Sequence, residues 1–310
     1  MKVNVFILKI LMIIIVFGFV SCSDDSKDNS QMSEQGNGQV EEKVFLGDIV
    51  LRTQEEVNVF GAENYTRITG SITFAPIGSP PNSINDLSSL SSITSVGGDF
   101  NLWINNSLLN LNGLQNLERI EGFQVVIEGS MILNLDGLES LNYVENIMSI
   151  NGNSIENING LSNLTSVRSL GLVHTNIENL NGLSSLTNVE NIGLGDSDNL
   201  INLSGLTNLT NLERIGLERN NNLINLNGLT NLTNVERIYI VDNENFKNLN
   251  GLDNLTSRLV RIHIEGNPLL DDFCNLEYVF NNYGLPDSYV VFDNAYNPTL
   301  QDIIDGNCSL

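Results

Sequence analysis

The sequence predicts a mainly β solenoid built from parallel strands, and three observations carry that expectation. The phrase N-[LI]-x-G-L-x-x-L recurs with its glycine at Gly113, Gly137, Gly160, Gly182, Gly205, Gly228 and Gly251, at spacings of 24, 23, 22, 23, 23 and 23 residues. A near-constant period of this length is the signature of stacked coils. Between the phrases, short apolar pairs alternate with other residues, as Ile215 and Leu217 do around Gly216, which places both on one side of a strand. Finally, 41% of residues are hydrophobic but only 6% aromatic, so the core must be made of Leu, Ile and Val.

The elements follow in order. Residues 1–21 read as a targeting signal: Lys2 supplies the positive start, and Ile10 to Val20 is an apolar run too short to span a bilayer. The run ends in "FVSC", which resembles the lipobox of bacterial lipoproteins, with Phe19 where Leu is usual. That resemblance implies cleavage before Cys22 and acylation of Cys22. An ordinary secretory signal cleaved nearby is the alternative. Residues 22–43 are charged and nearly free of apolar side chains. They are expected to be a disordered tether, with a coil span on the order of 25 Å. An N-terminal cap is expected over 44–83. Here "VFLGDIVL" and "ITGSITF" each read as a strand, "PIGSPPNS" as a loop, and Thr53 with Glu56 as a capping box opening a helix over 54–60 that ends at Gly61. The leucine-rich solenoid follows over 84–270, starting with the weaker phrase "INDLSSL", and a C-terminal cap over 271–310.

Export bears on the remaining cysteines. Cys274 and Cys308 both lie in the C-terminal cap of a chain sent to an oxidising compartment, and are expected to pair. Two free thiols or a metal site are the alternatives, and no His lies nearby in sequence.

The periodicity has a packing cause. One coil cannot enclose its own leucines, but each coil stacked on its neighbour extends a single apolar column. Asn153, Asn220, Asn243 and Asn267 recur near strand ends, where stacked side-chain amides would satisfy turn backbone groups as a ladder. The repeat glycines are expected where φ is positive or where coils approach closely. Irregular spacing around Met131 and Asn151, and the short unit ending at Leu180, suggest bulges.

The pattern L-x-x-I-x-L-x-x-N-x-x-L from Leu212 to Leu223 resembles leucine-rich repeats. "ITGSITF", "LNGLQNLERIEG" and "VGGDFNLWI" look more like the receptor L-domain. The ending "DDFCNLEYVF…YNPTLQDIIDGNCSL" resembles the C-terminal cap of bacterial surface lipoproteins that carry such modules. The resemblance implies a right-handed solenoid with a short N-terminal capping helix and a disulfide-closed C-terminal cap. It also implies a recognition or adhesion role without known catalytic activity, and it names no ligand. The two caps would shield the end coils and leave a monomer.

Chemistry is sparsely signalled. The only histidines, His174 and His263, lack a matching nucleophile motif, and neither zinc-ligand spacing nor a phosphate loop is present. His174 reads as a solvated residue at a strand exit. Asp196 with Asp198, and Asp242 with Glu244, could be paired carboxylates of a glycosidase or fragments of a calcium turn, but read as turn residues. "NLT" at Asn163, Asn208, Asn231 and Asn254 matches the glycosylation pattern, yet repeat constraint accounts for it. No enzyme activity and no cofactor are expected.

The outward strand face holds the binding candidates. Arg214, Arg237 and Arg261 stack in one row; Tyr239 and His263 continue a row of glycines that Trp103 is expected to join in an early coil. Arg, Tyr and Trp are the residue types enriched at binding hot spots. The like charges need compensation, and Glu213, Glu236, Glu218 and Glu265 are positioned to give it. A self-compensated charge ladder is therefore the alternative to a recognition strip.

With 37 acidic and 14 basic residues, and a formal charge of −23, the chain is unsuited to nucleic acid, which needs clustered Lys and Arg. The reading is a lipid-anchored surface protein that binds a protein or glycan ligand; a spacer without a ligand, or a carbohydrate-active enzyme, are the alternatives. Ser23-Asp24-Asp25 resembles an acidic export tag, which favours the bacterial outer membrane facing outward, although an acidic residue there can also retain lipoproteins at the inner membrane.

Overall fold

In this computed structural model the described residues are 42–75, 84–103, 107–128, 131–152 and 154–310. Cys22, the signal and most of the tether, the proline loop and Asn153 lie outside them. Fifteen strands form a single sheet, with every strand pair parallel. In chain order they are β1 (Val44–Phe45), β2 (Ile49–Leu51), β3 (Arg67–Ile68), β4 (Ile72–Phe74), β5 (Ser95–Val96), β6 (Phe100–Trp103), β7 (Arg119–Ile120), β8 (Gln124–Glu128), β9 (Tyr143–Asn151), β10 (Ser166–Val173), β11 (Asn191–Gly195), β12 (Asn211–Glu218), β13 (Asn234–Val241), β14 (Arg261–Glu265) and β15 (Ser288–Phe292). Among the described residues three α-helices accompany them: α1 (Gln54–Ala62), α2 (Glu277–Tyr283) and α3 (Leu300–Ile304). The chain is a mainly β, leucine-rich parallel solenoid.

The first coils differ from the later ones. "VFLGDIVL" and "ITGSITF" are each two short strands around a corner. One track runs β1-β3-β5-β7 and the other β2-β4-β6-β8, and both meet on the long β9. Glycine makes the corner possible: a Cβ on Gly98 would lie 2.5 Å from the Gly70 carbonyl carbon, and one on Gly122 2.2 Å from that of Gly98. The corner then contracts. Three residues separate the tracks at 46–48, 69–71, 97–99 and 121–123, two at 145–146, and one at Arg168. A register shift lies between Val167 and Ser169, opposite residues 145–146, and not at Met131 or Asn151, where the spacing suggests bulges. The short unit ending at Leu180 has a different origin. Thr175 and Ile177 are two residues apart, whereas the equivalent Ser197 and Leu200 are three apart, so the missing residue comes from the turn after the strand.

The phrases of Gly160, Gly182, Gly205 and Gly228 return through a 3-10 turn, whereas Gly113, Gly137 and Gly251 take a positive φ of 113°, 105° and 114°. The first Asn of the phrase accepts a hydrogen bond from the backbone N–H two residues on, as Asn202 Oδ1 does from Ser204 (3.0 Å) and Asn225 Oδ1 from Asn227 (3.1 Å). The phrase glycines press against the preceding coil. A Cβ on Gly205 would stand 1.6 Å from the Leu180 carbonyl oxygen, which no side chain tolerates. Leu206, Leu209, Leu212, Ile215, Leu217, Leu223 and Leu226 of one coil are at most 2% exposed, and burying such a side chain contributes roughly 1.5–3 kcal/mol.

At the strand exit a buried polar ladder runs through the coils. The backbone N–H of Thr175 donates to Ser197 Oγ (3.3 Å), Ser197 to Asn220 Oδ1 (3.3 Å), Asn220 to Asn243 Oδ1 (2.9 Å), Asn243 to Asn267 Oδ1 (3.0 Å) and Asn267 to Asn294 Oδ1 (3.1 Å). Asn220, Asn243 and Asn267 are fully buried. Just before each rung stands a left-handed residue: His174, Asp196, Arg219, Asp242, Gly266 and Asp293 have φ between 49° and 70°.

The ends are closed as expected, with adjustments. Thr53 Oγ1 accepts from Glu56 N–H (3.1 Å), but the Glu56 carboxylate receives the Arg52 N–H, one residue short of the capping-box partner. Gly61 lies inside α1, where the helix touches Ser89 of the first full turn: a Cβ there would be 2.4 Å from the Ser89 carbonyl oxygen. At the other end Cys274 and Cys308 form the disulfide, and α2, β15 and α3 cover the last coil.

Candidate functional site

Strand alternation sends one set of side chains into the column and the other outward. The register orders the outward set into rows. Asn191, Arg214, Arg237 and Arg261 are successive partners in the first row; Gly193, Gly216, Tyr239 and His263 follow in the second. Trp103 does not join the glycine row. The partner chain through β8 to β11 places Asn101 there, and puts Trp103 two residues on, in the row of Glu128, Asn151, Val173, Gly195 and Glu218. The difference is one of register: in "DFNLWI" the inward pair is Phe100 and Leu102, which puts Asn101 between them and Trp103 beyond them. Six strand steps separate β6 from β13, about 29 Å at ~4.8 Å each, so Trp103 is remote from Tyr239. It borders instead a cavity of about 260 Å³ with Gln124, Val126, Ile147 and Gly171. A polar cavity of about 540 Å³ lies at the strand starts, lined by Glu145, Arg168, Asn188 and Glu190 among others.

The arginine row is compensated at one position only. Arg237 pairs closely with Glu213, and with Glu236 at 3.7 Å. Glu218 turns to Arg219, and Glu265 to His263 Nε2 at 2.8 Å. Among the described residues Arg214 and Arg261 make no ion pair. The Arg214 guanidinium carbon lies 5.6 Å from the Tyr239 ring centroid, a cation–π distance, and its Nε is buried without a hydrogen-bond partner. Arg261 is exposed. Beyond Tyr239 the aromatic rings continue: His263 is 6.2 Å from Tyr239 and 6.4 Å from Phe292, centroid to centroid. Phe292 is 41% exposed. Sequence reasoning missed it because β15 lies in the cap, outside the repeat, although "SYVVF" carries the same alternation.

Beside this strip the left-handed residues carry their own charges. Arg219 grips Asp196 with two hydrogen bonds (2.6 and 3.0 Å), and that contact raises its pKa further. His174 stands between Asn151 (3.1 Å) and Asp196 (3.4 Å). Asp196 is thus committed to Arg219 and is poorly placed as a glycosidase carboxylate. Glu218 is 3% exposed and one of its oxygens has no partner. Burial raises its pKa, outweighing the attraction of Arg219. Burial, then Glu265, raises that of Asp242. Among the described residues no three His, Cys, Asp or Glu are grouped to hold a metal, and no helix is long and apolar enough to cross a membrane.

The "NLT" asparagines are structural in the folded chain. Nδ2 of Asn163, Asn208, Asn231 and Asn254 donates to a carbonyl of the preceding coil at 2.6–2.7 Å.

No protein-family model matches the chain, and none of the curated proteins matches it. Among solved structures it is similar to an internalin from Listeria monocytogenes, at 15% identity and a TM-score of 0.30, over 80% of this chain and 90% of that chain.

Proposed function

We propose that the chain is a lipid-anchored bacterial surface protein that recognises a protein or glycan through the outward face of its sheet. The supporting observation is the strip of Arg214, Tyr239, Arg261, His263 and Phe292, where two arginines are left without carboxylates and three rings lie side by side. Elsewhere in the coil the polar side chains are spent on holding coils together, as the "NLT" and ladder asparagines are. The anchor rests on the sequence "FVSC", with Cys22 the acylated residue and the outer membrane, facing outward, the site of display.

The test uses the full chain against an immobilised glycan panel and a panel of secreted proteins. A Tyr239→Ala/Arg261→Ala variant should lose the binding that wild type shows. A Glu178→Ala/Ile201→Ala variant, altered on the turn after the strand, should keep it. No binder in either panel, or equal loss in both variants, refutes recognition by this face and favours a spacer. Palmitate labelling lost in Cys22→Ala, and digestion of the chain by protease added to intact cells, test anchoring and display.

A further inference from the structure

We infer that Arg214, Tyr239 and Arg261 form a subsite for a carboxylated sugar of the uronate class; this rests on the sheet face being the recognition surface.

Charge is the first reason. The chain has 37 acidic residues against 14 basic ones, so carboxylates are abundant, yet none lies within pairing distance of Arg214 or Arg261 among the described residues. Arg237, between them in the row, is held by Glu213 and Glu236. The arginines therefore diverge. Arg237 leans to the corner carboxylates, while Arg214 leans over Tyr239 with a buried Nε that has no partner. The sealed Nε is out of a ligand's reach, but the terminal nitrogens are spent on no carboxylate of the chain, and a guanidinium can take a carboxylate bidentately through those two.

Shape is the second reason. Gly193 and Gly216 precede Tyr239 in its row, so the ring stands beside a bare floor. Tyr239, His263 and Phe292 offer a line of rings next to it. A sugar ring has C–H groups on its faces for such a line. Arg261 stands two strands from Arg214, about 10 Å, and so addresses a second acidic unit of an oligomer.

An acidic peptide fits less well. Extended peptides bind sheets by pairing with a free strand edge. Here β12 and β13 are paired on both sides, so the floor has no main-chain groups to give.

The test is calorimetric titration of the full chain with tetragalacturonate, with its fully methyl-esterified form, and with tetraglutamate. The acid sugar should bind, and the ester at least about tenfold more weakly, a loss of ~1.4 kcal/mol. Arg214→Lys, which keeps the charge but loses the fork, should weaken the acid sugar about tenfold, and Arg237→Gln should leave it within about twofold. Far-UV circular dichroism establishes that each variant is folded. Equal affinity for acid and ester, preference for tetraglutamate, or an Arg214→Lys variant that binds like wild type overturns the subsite. So does the absence of binding by all three probes. In that case the broader recognition reading still stands if the Tyr239→Ala/Arg261→Ala variant loses panel binding.

Discussion

Replacing Asn243 by Ala removes the middle rung of the buried ladder, and the structure sets the cost. Asn243 is fully buried. Its Oδ1 receives the Asn220 N–H (2.9 Å), and its Nδ2 donates to the carbonyls of Leu217 (3.2 Å) and Val241 (3.0 Å) and to Asn267 Oδ1 (3.1 Å). Val241 O keeps the Arg219 N–H, and Asn267 Oδ1 keeps the Asn243 N–H, so those two losses are mild. The Asn220 N–H, by contrast, is left buried without an acceptor. An orphaned buried donor costs about 1–3 kcal/mol and each of the three remaining lost hydrogen bonds about 0.5–1.5 kcal/mol, so the sum is about 2.5–7.5 kcal/mol, nearer the lower end because two of those losses are mild. Asn254→Ala is the control: its amide also joins two coils, at 2.7 Å, but the residue is exposed and water can replace it, so about 1 kcal/mol or less is expected. Asn243→Ser should fall between, because Ser197 already serves as a rung and receives the Thr175 N–H. Urea unfolding of the three variants measures the order. Asn243→Ala no more costly than Asn254→Ala would refute the claim that the ladder stabilises the solenoid.

Two further outcomes test other parts of the reasoning. Gly205→Ala drives a Cβ into the Leu180 carbonyl oxygen and should destabilise by about 1–3 kcal/mol, whereas Gly171→Ala, whose nearest neighbour would be 4.0 Å away, should change the urea midpoint little. Glu218→Gln tests the buried acid. A carboxyl whose pKa is raised on folding contributes its full stability below its unfolded value, near pH 4.3, and loses it as pH rises through the folded value. The variant should therefore melt higher than wild type at neutral pH, with the gain vanishing at about pH 4. A gain that persists in acid would show that the effect is packing and not charge.

The repeat was legible because its cause is repeated. Each coil meets an identical neighbour, so the inward pairs such as Ile215 and Leu217, the phrase glycines and the Asn rungs all recur at the coil length. The caps could be read in outline from Thr53 and from the Cys274–Cys308 pair, since capping and disulfide closure are local chemistry. What failed was register and non-repeated geometry. Trp103 sits in a coil whose corner has three residues, and counting back from later coils with one corner residue shifts its row. The corners at Gly47 and Gly70 fall inside "VFLGDIVL" and "ITGSITF", each of which reads as one strand, because a glycine between apolar residues does not announce a bend. The third ring of the strip, Phe292, lies outside the period altogether. Thr175 and Ser197 give no sign of being rungs in the sequence, because a hydroxyl there replaces the amide that marks the other rungs. How Arg214 and Arg237 divide the available carboxylates depends on side-chain direction, which spacing does not encode.

The narrowing of the corner from three residues to one has a consequence for how such a chain can change length. From β11 to β13 adjoining coils share one cross-section, so a unit of 23 residues could be duplicated or excised there and its neighbours would still meet matching surfaces. Upstream, the broader coils match only one another. β9 is therefore a one-way adaptor between two gauges of coil: a later unit moved ahead of it would leave the two-track ribbon without a counterpart, and the growth of the molecule is confined to the narrow side.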